Sequence, residues 1–310
     1  MFIRQDGPQL EVLAPAKINL FLEVLGKRDD GFHELDMLMA PVALYDTLTL
    51  TPTQTPGITL KSRWARGLEH QPELPVVEDN LVYRTLLLFH QELQEVRGDS
   101  LGIAVDLVKR IPAAAGLGGA SSDAAAALIG ANRLSGNPLS FDSCCRLASQ
   151  IGSDVPFFLY QSPARCQGRG EVVTPIAAGQ SLPLVLIKPA AGLSTPAVFS
   201  RVADFGFDSP QPMNSMLAAF CSGDVSGVGR SLHNRLVQSA LAELPELESL
   251  IQKLGGYDVP GFQMTGSGST FFLVCRHRNQ AKHIASRLRQ TKLGAVIDTY
   301  TLGQSFGCAA

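Results

Sequence analysis

The sequence predicts an α+β fold built from two packed lobes. Stretches of period-two alternation and stretches of helical spacing follow one another without the regular βαβ repeat of a doubly wound sheet. At 310 residues the chain is too long for one small core and comfortable for two. Hydrophobic residues make up 45% and charged residues 17%, the balance of an ordinary soluble globular protein. A boundary near residue 180 divides an N-terminal domain, 1–180, from a C-terminal α+β domain, 181–310.

The elements follow in order. In "KINLFLEVLGKRDDGFHEL", Ile18, Leu20, Leu22 and Val24 alternate with Asn19, Phe21 and Glu23, which reads as a strand ended by the turn "GKRDDG". "VALYDTLTLTP" and "GITLKS" continue the strand signal. "DNLVYRTLLLFHQELQEV" changes to helical spacing, with Asp79 or Asn80 as N-cap. "LGIAVDLVKRIP" is a strand that feeds a loop of small residues. "SSDAAAALIGANRLSG" is then a helix with serines at its start, Asp123 in its first turn and Gly136 after its end. "FDSCCRLASQIG" is a second helix. Beyond "LPLVLIKPAAGLSTPAVF", a buried strand and a turn-rich segment, two helical stretches precede "GFQMTGSGSTFFLVCRH", a Gly/Ser turn running into a strand.

Several function classes are excluded early. Net charge is −2 and basic residues are scattered, so nothing tracks a nucleic-acid backbone or an anionic membrane. Six cysteines, Cys144, Cys145, Cys166, Cys221, Cys275 and Cys308, form no Cys-x-x-Cys pair and read as reduced thiols. The start carries no signal-like apolar core, and no apolar run approaches the roughly 20 residues of a spanning helix. A cytoplasmic protein is expected.

The loop "RIPAAAGLGGASSD" carries the chemistry. A dinucleotide fingerprint would end in glycine, but Gly116-Leu-Gly-Gly-Ala-Ser121 ends in serine and lacks the later acidic partner. A P-loop would contain a lysine, and this loop has none. Anion binding is still favoured. Gly116, Gly118 and Gly119 permit close backbone approach and positive φ, Ser121 and Ser122 add hydroxyl donors, and the helix aims its unpaired N–H groups at the same place. Asp123 sits awkwardly there unless it faces away or engages a metal.

Taken together, "PAAAGLGGASSDAAAAL", "APAKINLFLEVLGKRDDGFHEL", "IGSDVPFFL" and "GSGSTFF" identify the chain as similar to the small-molecule kinases grouped with galactokinase, homoserine kinase and mevalonate kinase. The resemblance runs from Ala14 to Phe272 with the motifs in order. "KINLFL" and the Gly31-Phe32-His33 triplet narrow it to the branch acting on a cytidylyl sugar alcohol of the non-mevalonate isoprenoid route. It implies a two-lobed kinase fold with the active site in the interlobe cleft, ATP as co-substrate and Mg2+ with the nucleotide. It implies no nucleic-acid or membrane partner.

By that resemblance Asp154 is the base taking the proton of the substrate's hydroxyl, and Lys17 sits beside it and stabilises charge on the transferring group. Phosphoryl transfer asks for such positioning and charge stabilisation. The ATP loop is Pro112, Ala113, Ala114, Ala115, Gly116, Leu117, Gly118, Gly119, Ala120, Ser121 and Ser122. Asn80 and Leu81 pack on the ATP base. Phe32 stacks on the cytosine and His33 hydrogen-bonds its edge, Asn19 holds a polar part of the substrate, and Gly266, Ser267 and Gly268 lie near the substrate phosphates. Each has a plainer reading. Asp154 and Asn80 are placed to cap helices, His33 suits a surface turn, Asn19 an outward strand position and "TGSGS" a tight turn. The sequence departs from the family pattern at Ala113 and Ala114, where several relatives have glycine, at Phe32, where tyrosine is common, and at Asn234-Arg235, where an acid often follows the asparagine. Another kinase of the same group, of homoserine or mevalonate type, and a non-catalytic ATP- and sugar-binding sensor are the alternative functions.

Overall fold

The computed structural model describes residues 1–68, 71–207 and 209–303. Its mixed helix-and-sheet architecture is the α+β class that the irregular element order predicts. Two compact units interleave along the chain, because two long strands each supply residues to both.

The first unit comprises Met1–Ala16, Leu44–Ala113 and Gly118–Gln161. Here β1 (Phe2–Asp6) pairs antiparallel with the opening of β2 (Gln9–Lys27), Phe2 opposite Leu13. The end of β3 (His33–Pro52) pairs antiparallel with β5 (Gly102–Lys109), and β4 (Gly57–Trp64) lies parallel to β5. Helices α1 (Leu81–Arg97), α2 (Gly119–Leu134), α3 (Phe141–Ile151) and α4 (Val155–Tyr160) pack together. Ala124–Ala127 are buried on every side of α2, since methyl side chains let neighbouring elements approach closely. Gly130 completes that approach: a Cβ there would stand 2.8 Å from the Leu50 side chain of β3.

The second unit comprises Lys17–Ala43, Ala114–Leu117 and the chain from Ser162 onward. The start of β3 pairs antiparallel with β6 (Ala164–Gly168), which pairs with β7 (Val172–Pro175). Then come β8 (Pro183–Lys188), α5 (Thr195–Ser200), α6 (Asn214–Ser222), α7 (Val225–Ser231), β9 (His233–Asn234), α8 (Val237–Glu243) and α9 (Leu247–Gly255). The chain continues through β10 (Gly261–Met264), β11 (Phe271–Val274), α10 (Arg278–Arg289) and β12 (Ala295–Tyr300). The order β10-β11-β8-β12 makes an antiparallel four-stranded sheet, and β9 adds parallel to β2. On α10, Ala281, Ile284, Ala285 and Leu288 are buried at helical spacing, the apolar stripe that faces β8 and β12.

Two local expectations are corrected. The alternation in β2 sets its register, but both faces are covered, so Asn19, Phe21 and Glu23 are as buried as Ile18 and Leu20. Asp123 is not in the first turn of α2. The helix begins at Gly119, which puts Asp123 one turn inside and buried. Cys144, Cys145, Cys166, Cys221 and Cys275 are in no disulfide among the described residues, whereas Cys308 lies outside them.

Candidate active site

Between β5 and α2 the backbone takes left-handed φ at alternate residues: Ala114 at 47°, Gly116 at 70° and Gly118 at 68°. Such alternation turns successive N–H groups toward one concave side, the geometry of an anion nest. Gly116 is fixed by space as well as by φ, since a Cβ there would collide with the Thr265 carbonyl oxygen. Pro112 and Ala113 are half-buried, Ala115 and Leu117 are buried, and Ala114 and Ala120 are exposed. Gly118 precedes α2 and offers no side-chain cap, and the first helical bond runs from the Ser122 N–H to the Gly118 carbonyl at 2.9 Å. The N–H groups of Gly119, Ala120 and Ser121 therefore have no intrahelical acceptor and face the helix N-terminus. Ser121 is half-exposed. The Ser122 hydroxyl is buried with no hydrogen-bond partner among the described residues.

Beneath this loop the first unit buries three ionisable side chains. Lys109, the last residue of β5, donates to Asp46 and, at 2.5 Å, to Asp123. The second Asp46 oxygen accepts the N–H groups of Arg110 and Ile111, where the loop begins. Burial pushes the Asp123 carboxyl well above the usual carboxylate range, with the Asp46 charge adding to it and the Lys109 ammonium opposing. The acid that sits awkwardly near a phosphate in the sequence is thus turned inward onto a lysine.

The second unit gathers several other residues. Lys17 is only 4% exposed, and its ammonium donates to the side-chain Oδ1 of Asn19 at 2.6 Å. Its backbone N–H bonds the Leu117 carbonyl at 2.9 Å, tying β2 to the glycine-rich loop. The Asn19 N–H donates to the Thr265 hydroxyl at 3.0 Å, and that hydroxyl lies 3.3 Å from the Gly116 carbonyl. Gly266, at φ 58°, leaves the Lys17 ammonium so close that a Cβ would stand 3.3 Å from it. Asn234 donates both amide protons to the turn, to the Met264 carbonyl at 2.8 Å and the Gly266 carbonyl at 2.9 Å. Ser267 shares a 2.8 Å hydrogen bond with Thr195, and Gly268 has φ 87°. Lys17, Asn19, Gly116 and Gly266, four residues chosen from distant motifs, converge. Thr265 and Asn234 join them.

Phe32 and His33 follow a turn closed by the Arg28 N–H on the Phe32 carbonyl at 2.8 Å. The Phe32 ring is 49% exposed, with the Arg169 guanidinium 4.7 Å from its centroid. His33 lies 5.2 Å from the Phe199 ring and 6.2 Å from Phe207. Burial, and then the Lys27 charge, hold its pKa below the ordinary value, so the imidazole is neutral at pH 7. It is part of an aromatic cluster rather than a lone surface histidine, and Phe199 and Phe207 carried no signal that would have found them.

In the first unit, Asp154 immediately precedes α4 but makes no side-chain cap bond, so the plainer reading of that aspartate is not taken. Asn80 does cap: its Oδ1 accepts the Val82 N–H at 3.0 Å, and Leu81 is half-buried behind it.

Residues 80–162 match the family "GHMP kinases N terminal domain" and residues 216–292 match "GHMP kinases C terminal". A fold and loop of this kind define a small-molecule kinase, and solved structures agree. A homoserine kinase from Cytophaga hutchinsonii shares the fold at a TM-score of 0.73 and 19% identity, over 98% of each chain. A crystal structure of a 4-(cytidine 5'-diphospho)-2C-methyl-D-erythritol kinase superposes with a TM-score of 0.78 and 33% identity, over 94% of this chain and 100% of that one. A 4-diphosphocytidyl-2-C-methyl-D-erythritol kinase of Symbiobacterium thermophilum is 39% identical over 90% of this chain and 95% of its own. One from Geobacillus thermodenitrificans is 36% identical over 91% and 93%. The chain belongs to the 4-diphosphocytidyl-2-C-methyl-D-erythritol kinase family, and it is an ATP-dependent kinase.

Proposed function

We propose that the chain transfers the terminal phosphoryl group of ATP to the 2-hydroxyl of 4-diphosphocytidyl-2-C-methyl-D-erythritol, in the cytoplasm, on the non-mevalonate route to isoprenoid precursors. The observation that carries this reading is the buried Lys17 ammonium, held on Asn19 beside Gly266, in a strand that is hydrogen-bonded to the glycine-rich loop. A buried cation at such a loop suits the charge that builds on a transferring phosphoryl group.

The nest from Pro112 to Ser122 receives the ATP phosphates through backbone N–H groups and the α2 N-terminus. Asp154 accepts the proton of the attacking hydroxyl, a role a carboxylate is chemically able to fill. Phe32 and neutral His33 receive the cytosine, Asn19 and the Gly266–Gly268 turn the remainder of the alcohol, and Asn80 and Leu81 the adenine. The 1–180 domain binds ATP, and the 181–310 domain completes the substrate site. Mg2+ enters as part of the nucleotide substrate.

An ATP-dependent assay on the cytidylyl alcohol tests the reading. Wild type turns over. Lys17→Ala and Asp154→Asn each lose about 10²–10³ in kcat. Phosphorylation of homoserine or mevalonate in place of the cytidylyl alcohol would overturn the substrate assignment, as ATP binding without turnover on any of them would overturn catalysis. Near wild-type turnover by Asp154→Asn would remove the base.

A further inference from the structure

Glu23 is a fully buried acid in β2, and the function proposed above gives it no role. Both of its oxygens are engaged. Oε1 accepts from Arg235 Nε at 2.6 Å and from the Val24 N–H at 3.0 Å. Oε2 accepts from the Gln211 N–H at 2.8 Å and lies 3.0 Å from His233 Nε2. A buried carboxylate is expensive to desolvate, and removing its partners costs more, so this arrangement is weak evidence for stability alone. Its geometry says more about position.

His233 and Asn234 form β9, laid parallel to β2 with Phe21 opposite His233 and Leu22 opposite Asn234, and Arg235 opens the turn that follows. The Arg235 N–H continues the ladder to the Leu22 carbonyl at 2.9 Å. Alternate residues of a strand point to opposite sides. His233 accordingly meets Glu23 on one side while Asn234 reaches Met264 and Gly266 from the other, and Arg235, from the turn after the strand, closes on Glu23 as well. Asn234 can hold two carbonyls only if its backbone neither slides nor rolls, and the two-pronged grip on Glu23 blocks both. The bond from Gln211 also ties Glu23 to the segment that follows Phe207, the ring beside His33. The Arg235 that departs from the family pattern is therefore one prong of the anchor.

We propose that Glu23 is a positioning residue for the alcohol substrate: through His233 and Arg235 it sets Asn234, through Asn234 it sets the Gly266–Gly268 turn, and through Gln211 it steadies the segment carrying Phe207. This rests on the reading above that the turn and His33 receive that substrate.

The test combines kinetics with amide hydrogen exchange on Glu23→Gln, Asn234→Ala and the double variant. Glu23→Gln raises KM for the cytidylyl alcohol about tenfold and leaves KM for ATP within about twofold. Asn234→Ala does the same, and the double variant is no worse than Asn234→Ala, because both act along one route. The amides of Thr265 and Gly268, which bond Thr270 and Thr265 in the turn, exchange faster in Glu23→Gln, while β5 amides keep their wild-type rates. Additive kinetic effects, an equal rise of both KM values or unchanged exchange in the turn would overturn the proposal. A wild type inactive on the cytidylyl alcohol sinks the substrate reading, and the exchange result then decides the positioning claim by itself. If Glu23→Gln does not fold, Arg235→Gln carries the same measurements, since that side chain is partly exposed and tolerates exchange better.

Discussion

Lys109 donates to Asp123 across 2.5 Å, one turn inside α2, while the same ammonium serves Asp46. The glycine-rich loop has no lysine of its own, yet one lies directly under it: a Cβ on Gly119 would stand 3.2 Å from the Lys109 ammonium. Two buried carboxylates share this one cation. Removing it strands both, which costs more than removing either acid. Lys109→Met is expected to lose about 3–5 kcal/mol in urea unfolding, whereas Asp123→Asn loses about 1 kcal/mol or less. Equal losses in the two variants would show that the lysine is not the centre of the cluster.

The loop itself makes opposite demands at two nearby residues. Ala114 is exposed at φ 47°, where an L-residue carries roughly 1 kcal/mol of strain. Ala114→Gly relieves that strain but gives the unfolded chain a similar gain in entropy, so stability moves by less than about 1 kcal/mol. Gly116→Ala meets the Thr265 carbonyl as well as an unfavourable φ and should lose about 2–3 kcal/mol. It should also weaken ATP binding in calorimetry, since the nest closes around that residue. A Gly116→Ala protein with wild-type melting and affinity would show that the loop relaxes freely.

Glu23 gives the protein an acid-sensitive anchor. Burial by itself would raise its pKa, but His233, Arg235 and the Gln211 N–H outweigh it and lower the value from 4.5 to about 2. A depressed carboxylate stabilises the fold above its unfolded pKa, and that contribution drains away as pH falls from 4.5 toward 2. The difference is worth about 3 kcal/mol at neutral pH. Chemical unfolding of wild type and Glu23→Gln should therefore show a gap of that order at pH 7 that narrows steadily below pH 4.5. A gap independent of pH would mean the variant fails for reasons of packing.

Much of this was legible in the sequence because the signals were local. The strand ending at Lys109, the small-residue loop and the alanine-rich helix follow from periodicity and from glycine and serine chemistry. The long-range pairings were not. Asn19 and Glu23 read as the outer face of a strand, since nothing local indicates that both faces of β2 are covered. Asp46, Lys109 and Asp123 lie 63 and 14 residues apart along the chain at the lysine's two bonds, and charge composition gives no sign that they meet. "HNRL" stood out as a departure, but its meaning appeared only once Arg235 was seen on Glu23 and Asn234 on the Gly266 turn.

Asn80 offers a case in which a plain role and a functional one can be separated. Its Oδ1 caps α1 by accepting the Val82 N–H at 3.0 Å, and the side chain is buried. That bond engages the oxygen and leaves the amide group for the adenine contact proposed for it. Asn80→Ala removes both and should lose about 1 kcal/mol of stability together with ATP affinity. Asn80→Ser restores a capping oxygen but no amide, so stability should return while the KM for ATP stays several-fold above wild type. Denaturant midpoints and initial-rate kinetics on the two variants read the outcomes separately. If the serine variant recovers both, Asn80 is a helix cap and nothing more, and the adenine contact must be sought elsewhere.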